Sequence, residues 1–248
     1  MGSVMAKKTS SPQKNSSKTT LARSNQKTSK QRAKHKTSAQ TFVSEDEFHI
    51  VGMGASAGGL EALSAFFEAL PDDTGLGFVV VVHLDPSHIS ILPDLLQKHT
   101  SMRVSHAEDG VLVQPNQIYV IPPNQEIQIL HGHLQLMEQI RDHGLRLPID
   151  TFLRSLAIDQ ENKAIAIVLS GTGTDGTLGV KAVKGEAGMA MVQDIASAKY
   201  DGMVHSAIST GVVDFILPPD KMPAKLISYC QHIGSMKTLA KTLTTGEL

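Results

Sequence analysis

Three short stretches of this sequence bring together the side chains that could do chemistry. Ser56 lies in Gly52-Met53-Gly54-Ala55-Ser56-Ala57-Gly58-Gly59, between the first apolar run and the first amphipathic stretch. Gly54-x-Ser56-x-Gly58 fits a nucleophile elbow, in which a tight strand-to-helix turn pushes the serine oxygen outward. Gly52-x-Gly54-x-x-Ala57 equally fits the dinucleotide fingerprint, in which glycines let a pyrophosphate approach a helix N-terminus. A tight turn with no chemistry is the third reading.

His83 ends the second apolar run. In a parallel sheet the strand C-termini share one edge and neighbours lie about 4.8 Å apart, so Ser56 and His83 can meet. A purely structural histidine fits the same position. A dinucleotide site would want an acid for the ribose here; His83 stands in its place, with Asp85 two residues on. Asp175 sits in a second glycine-rich turn, Gly171-Thr172-Gly173-Thr174-Asp175-Gly176. It is either an ordinary helix cap or the acid that fixes the tautomer of His83 and stabilises its imidazolium. The order Ser, His, Asp differs from that of α/β-hydrolases, but role and geometry define a triad, not order. The main-chain N–H of Ala57, at a helix N-terminus, is placed to stabilise an oxyanion.

The elements that must position these residues alternate in type. Phe48–Gly52 and Gly77–His83 read as strands, each followed by a helical pattern, Gly59–Leu70 and Ser90–His99. The strands are apolar on both faces (Phe78-Val79-Val80-Val81-Val82), as a parallel sheet covered by helices requires. Gln117–Ile121 and Glu126–Leu136 are shorter and alternating; with a turn at His131-Gly132 they predict an antiparallel hairpin at the sheet edge. Helix Ile149–Asp159, strand Ala164–Ser170, helix Thr177–Gly185 and strand Met189–Gln193 follow. A helix near Ser206–Thr210, strand Val213–Leu217 and helix Lys221–His232 complete the series. The expected class is α/β, a doubly wound and mostly parallel sheet flanked by helices.

Composition divides the chain. Of its 248 residues, 1–44 hold ten Lys or Arg and no acid, leaving the remainder 13 basic against 24 acidic side chains, a formal −11. That tail also holds 15 Ser or Thr and has too little apolar content to offset chain entropy, so it is expected to be disordered. The expected organisation is a tail over 1–44, one domain over 45–235 and a C-terminal extension or linker over 236–248. No apolar run reaches the roughly 18 residues that cross a bilayer, so a cytoplasmic protein without membrane insertion is expected. Cys230 falls in a helical pattern and is read as a small core residue. His131, His133 and His143 suggest no ligand cluster, so no metal is expected. An acidic body with few aromatics argues against nucleic-acid binding.

Taken in order, the motifs resemble the catalytic domain of the chemotaxis methylesterase CheB. They are Gly54-Ala55-Ser56-Ala57-Gly58-Gly59, His83-Leu84-Asp85-Pro86, Glu108-Asp109-Gly110, Tyr119-Val120-Ile121-Pro122-Pro123 and Leu169-Ser170-Gly171-Thr172-Gly173-Thr174-Asp175-Gly176, within residues 48–230. The resemblance implies Ser56 as nucleophile, His83 as general base and acid, and Asp175 orienting the histidine. It implies an oxyanion hole from the N–H groups of Ala57 and Thr172, substrate contacts at Arg146 and Met203, and no metal or organic cofactor. The implied substrates are methylated glutamates on chemoreceptor signalling helices, with glutamine deamidation in some members.

Arg146-Leu147-Pro148-Ile149-Asp150 and the run from Gln193 to Met203 look most like the variant fused to a CheR-type methyltransferase, which makes such an enzyme an expected partner in cis or in trans. Val204 follows Met203 where many members have proline. The family's usual enzyme has an N-terminal receiver domain where this chain has its polar tail, so control by an attached receiver is not expected. Two rival functions stay open: a dinucleotide-binding oxidoreductase, and a non-catalytic module that binds receptor helices on the same fold.

Overall fold

Alternating apolar runs and amphipathic stretches become parallel strands and their covering helices in the computed structural model, which describes residues 48–83, 91–138 and 146–245. The first unit is β1 (Ile50–Ala55), α1 (Gly59–Ala69), β2 (Gly77–Val82) and the short α2 (Leu92–Leu96). Then come four strands, β3 (Arg103–His106), β4 (Gln117–Val120), β5 (Gln125–Leu130) and β6 (His133–Glu138). The second half is α3 (Pro148–Gln160), β7 (Ala164–Val168), α4 (Thr177–Gly185), β8 (Met189–Gln193), α5 (Gly202–Ile208), β9 (Phe215–Leu217) and α6 (Met222–Thr245).

Seven of these strands form one sheet in the order β3-β4-β2-β1-β7-β8-β9, and every pairing in it is parallel. All residues of β1, β2, β7 and β8 are buried, as expected where helices cover both faces. On one face α3 lies unusually close to β1. A side chain at Gly52 would come within 2.6 Å of Leu153 and 2.9 Å of Phe152, and one at Gly54 would collide with Ile149. The two glycines, two residues apart on one strand face, are therefore the seat of α3.

The hairpin turns at His131–Gly132 as the sequence indicates, but its place differs from the expectation. β5 and β6 form a two-stranded sheet of their own rather than an edge of the main one. Ile127, Ile129 and Leu134 give it a buried face, and its bonds go to α3: Ile129 N–H donates to Ser155 Oγ at 3.1 Å and Gly132 N–H to Asp159 at 3.0 Å. β4 belongs to the main sheet, and the edge strand beside it is β3, in which Val104 is the one apolar residue.

Two helices also differ from the sequence reading. α5 begins at Gly202, four residues before the expected Ser206. α6 continues to Thr245 instead of ending at His232, so residues 236–245 extend a helix rather than form a linker; the helix formers after Gly234 outweigh that single glycine. The basic tail of residues 1–44, His143 and the Leu84-Asp85-Pro86 part of the second motif lie outside the described residues.

Candidate active site

From β1 the chain runs to β2 and β4 on one side and, after α3, returns to β7 on the other. The strand order thus reverses between β1 and β7, and in open parallel sheets ligands bind beyond the strand C-termini at such a switch point. Ser56 follows β1, Asp175 lies in the turn after β7, and His83 follows β2, the other neighbour of β1. Topology alone brings the three sequence candidates to one place.

The pairing of β1 with β7 continues into the turns. Leu169 N–H donates to Gly54 O at 2.9 Å and Ser56 N–H to Ser170 O at 3.0 Å, so the serine is fixed as if it were still in a strand. Gly58 then takes the left-handed step that opens α1, with φ 72°. A side chain there would also meet Lys199 Cβ at 2.8 Å and Ser170 Oγ at 2.9 Å. The turn is tight because Gly58 permits it. Gly52 and Gly54 lie within β1 under α3, not in the turn, so they do not form the phosphate cradle of the dinucleotide reading.

Ser56 Oγ lies 3.2 Å from His83 Nδ1, and His83 Nε2 lies 2.9 Å from Asp175 Oδ2. The His83 side chain is 35% exposed and that of Asp175 only 2%, so the ring is partly open to solvent and its partner is buried. A carboxylate only accepts, so Nε2 carries the proton and donates to Asp175; Nδ1 is then free to accept from the serine hydroxyl. The ring is used the opposite way round from the serine-protease template, in which Nδ1 faces the acid. Asp175 is held by three main-chain donors: Ile149 N–H to Oδ2 at 3.0 Å, Asp150 N–H to Oδ1 at 2.8 Å and Gly176 N–H to Oδ1 at 2.9 Å. Asp175 therefore caps a helix, but the helix is α3, not α4, and the same carboxylate is the hydrogen-bond partner of His83.

Thr172 is exposed, and Ala57, next to Ser56, is half-buried. Among the described residues neither N–H donates to a protein acceptor. Arg146 is exposed, just before α3. Met203 is fully buried, and its thioether fills the space a side chain on Gly171 would need. This corrects the expectation of a substrate contact there: Met203 backs the β7–α4 turn, and its N–H donates to Gly171 O at 2.9 Å.

The family model for CheB methylesterase matches residues 51–226. This chain belongs to the CheB methylesterase family. A protein-glutamate methylesterase/protein-glutamine glutaminase 2 of Burkholderia lata is 32% identical over 180 residues, 72% of this chain and 53% of that protein. One from Pyrococcus horikoshii is 27% identical over 198 residues, 78% of this chain and 54% of its own length. An uncharacterised 104.1 kDa protein of Rhodobacter capsulatus is 39% identical over 138 residues, 56% of this chain and 14% of that protein. The chain therefore spans about half the length of the two named CheB-type relatives. The solved catalytic domain of the Thermotoga maritima CheB methylesterase aligns at 31% identity with a TM-score of 0.68, covering 74% of this chain and 100% of that one.

Several residues of this CheB-type site escaped the sequence reading. Asp150, 4% exposed, sends its carboxylate to Gly179 N–H at 2.7 Å. Burial raises its pKa, and the neighbouring Asp175 adds to the rise. An Asp in the first turn of a predicted helix was visible in sequence; its bond to a different helix was not. Lys199 pairs with Glu61 at 2.8 Å beside the nucleophile turn, and this hydrogen bond lowers the Glu61 pKa. Ser170 stood within a quoted motif without a role.

Proposed function

We propose that this chain is a serine esterase that hydrolyses methyl esters of glutamate side chains on a protein substrate, acting in the cytoplasm. The observation that carries the reading is the continuous chain Ser56 Oγ, His83 Nδ1, His83 Nε2, Asp175 Oδ2, with separations of 3.2 and 2.9 Å between residues. Ser56 Oγ attacks the ester carbonyl while His83 Nδ1 takes its proton. The N–H groups of Ala57 and Thr172 stabilise the oxyanion. The tetrahedral species collapses to a glutamyl ester of Ser56 and expels methanol, which receives its proton from His83. Water, activated by the same imidazole, releases the glutamate and restores Ser56. Every group required is protein; the step needs no cofactor.

The substrate assignment rests on family membership and on the names of the relatives. It points to methylated chemoreceptor signalling helices, approached from the rim that carries Arg146. Those relatives are also named as protein-glutamine glutaminases, so amide hydrolysis with loss of ammonia belongs to the same proposal. A CheR-type methyltransferase is the proposed partner enzyme. No helix among the described residues is long and apolar enough to cross a membrane.

The deciding experiment is methanol release from a methylated receptor signalling domain. The wild-type chain should release methanol stoichiometrically with loss of methyl groups, and Ser56→Ala should not. Equal release by both would end the assignment of Ser56, and no release by either would favour the non-catalytic module.

A further inference from the structure

Ser170, two residues past the end of β7, is wholly buried and meets the nucleophile turn at two points. Its carbonyl accepts Ser56 N–H at 3.0 Å, and its hydroxyl donates to Ala57 O at 2.9 Å. These contacts lie immediately before and after the peptide that joins Ser56 to Ala57, the peptide whose N–H the esterase reading assigns to the oxyanion hole. The hydroxyl is fixed in turn. It accepts Tyr200 N–H at 3.0 Å and lies 3.2 Å from Tyr200 O. Ser170 N–H donates to Gln193 Oε1 at 2.8 Å, and Gln193 is itself only 2% exposed. Gly171 N–H donates to Tyr200 O at 3.0 Å, tying the same segment to the turn after β7.

We infer that Ser170 is a positioning residue, whose buried hydroxyl holds the Ser56–Ala57 peptide so that Ala57 N–H points at the oxyanion as it forms. This rests on the esterase reading above. The hydroxyl never touches substrate. Removing it deprives the Ala57 carbonyl of its donor and Tyr200 N–H of its acceptor. The Ser56–Ala57 peptide then keeps Gly59 N–H on Ser56 O at 2.8 Å and the anchor at Ser56 N–H, while the peptide that follows it is released and can tilt it. An oxyanion contact exists only once the tetrahedral species develops, so its loss acts on the rate of bond formation and leaves ground-state binding almost untouched.

A small alkyl fluorophosphonate tests this on the full chain without receptor substrate. Ser56 Oγ forms the bond to phosphorus, fluoride leaves and His83 accepts the proton. The maximal labelling rate and the half-saturating concentration are measured together with the fraction labelled at completion and the melting temperature. Ser170→Ala should lower the maximal rate by roughly tenfold or more, about 1.4 kcal/mol on the barrier, with half-saturation within about twofold. Ser170→Thr, which keeps a hydroxyl, should recover most of the rate in whatever fraction folds. A Ser170→Ala chain that labels as fast as wild type overturns the inference. So does a loss confined to the fraction labelled, since that reports unfolding and not misdirection of the peptide. A wild-type chain that fails to label at Ser56 removes the esterase reading and this inference together; a labelled wild type with an equally fast Ser170→Ala removes the inference alone.

Discussion

Asp150 and Asp175 each serve the helix that belongs to the other. Asp175, just before α4, accepts the N–H groups of Ile149 and Asp150 in the first turn of α3. Asp150, in that first turn, accepts Gly179 N–H in the first turn of α4. First-turn N–H groups have no partner within their own helix, and they carry the positive end of its dipole. The exchange satisfies both sets of donors and locks two helix N-termini side by side. It also fixes the carboxylate that receives His83 Nε2–H.

Asp175→Asn should therefore do two things at once. An amide oxygen can keep the bonds from Asp150 and Gly176, but the amide nitrogen then faces both Ile149 N–H and His83 Nε2. Turnover should fall at least about a hundredfold as the ring is offered the wrong tautomer. Stability should fall by about 1–3 kcal/mol for one buried donor left unpaired. Initial rates of methanol release, paired with thermal melts, separate the two effects. Unchanged turnover with a lowered melting temperature would leave Asp175 a cap alone.

Ser56→Ala and His83→Ala should each abolish methanol release, and the double variant should be no slower than either. Nucleophile and base act as a unit, so their losses do not add. A double variant much slower than both singles would indicate independent roles and break the assignment.

The candidate site was legible in the sequence through its turns: Ser56, His83 and Asp175 each follow a strand of one parallel sheet, and that topology converges them on its C-terminal edge. What stayed hidden depends on contacts between distant segments. Gly52 and Gly54 looked like part of a phosphate loop because spacing cannot tell a glycine in a turn from one that seats a helix. β3 was missed because a half-buried four-residue edge strand with one apolar residue has no alternation to read. The hairpin's turn was legible, but its docking on α3 depends on Ser155 and Asp159, two side chains on the surface of a helix read only for its apolar face.

Gly54→Ala tests that close seat. The added methyl meets Ile149, whose N–H binds Asp175, so the overpacking falls where α3 begins. A destabilisation of about 1–3 kcal/mol is expected, with a fall in turnover measured at temperatures where the variant is still folded. If Gly54 instead cradled a phosphate, the variant would melt normally.

Cys230 should be almost inert toward thiol reagents in the native protein. Burial pushes its pKa up to about 11, so at pH 8 roughly one thiol in a thousand is the reactive thiolate. Labelling should accelerate with each pH unit and become fast at pH 8 once urea unfolds the chain. Rapid native labelling would place the thiol in the open.

The last prediction returns to Asp150. Its carboxyl is held above the ordinary range first by burial and then by the Asp175 carboxylate, against N–H donors from Gly176, Leu178 and Gly179 that favour the charged form. An acid harder to ionise in the folded chain than in the unfolded one contributes stability below its unfolded value, about 3.9, and that contribution is lost as pH rises through the folded value. Asp150→Asn cannot ionise and keeps an oxygen for Gly179 N–H, so it lacks this dependence. The stability of wild type relative to Asp150→Asn should therefore be greatest at the acid end, fall as pH rises and then level off. Paired melts between pH 3.5 and 7 measure the difference directly, and groups common to both proteins that do not interact with Asp150 cancel to first order. A difference that grows with pH would mean that the α4 N-terminus stabilises the Asp150 anion by more than burial opposes it. The cross-capping would then draw its strength from two charged carboxylates rather than from one that resists ionisation.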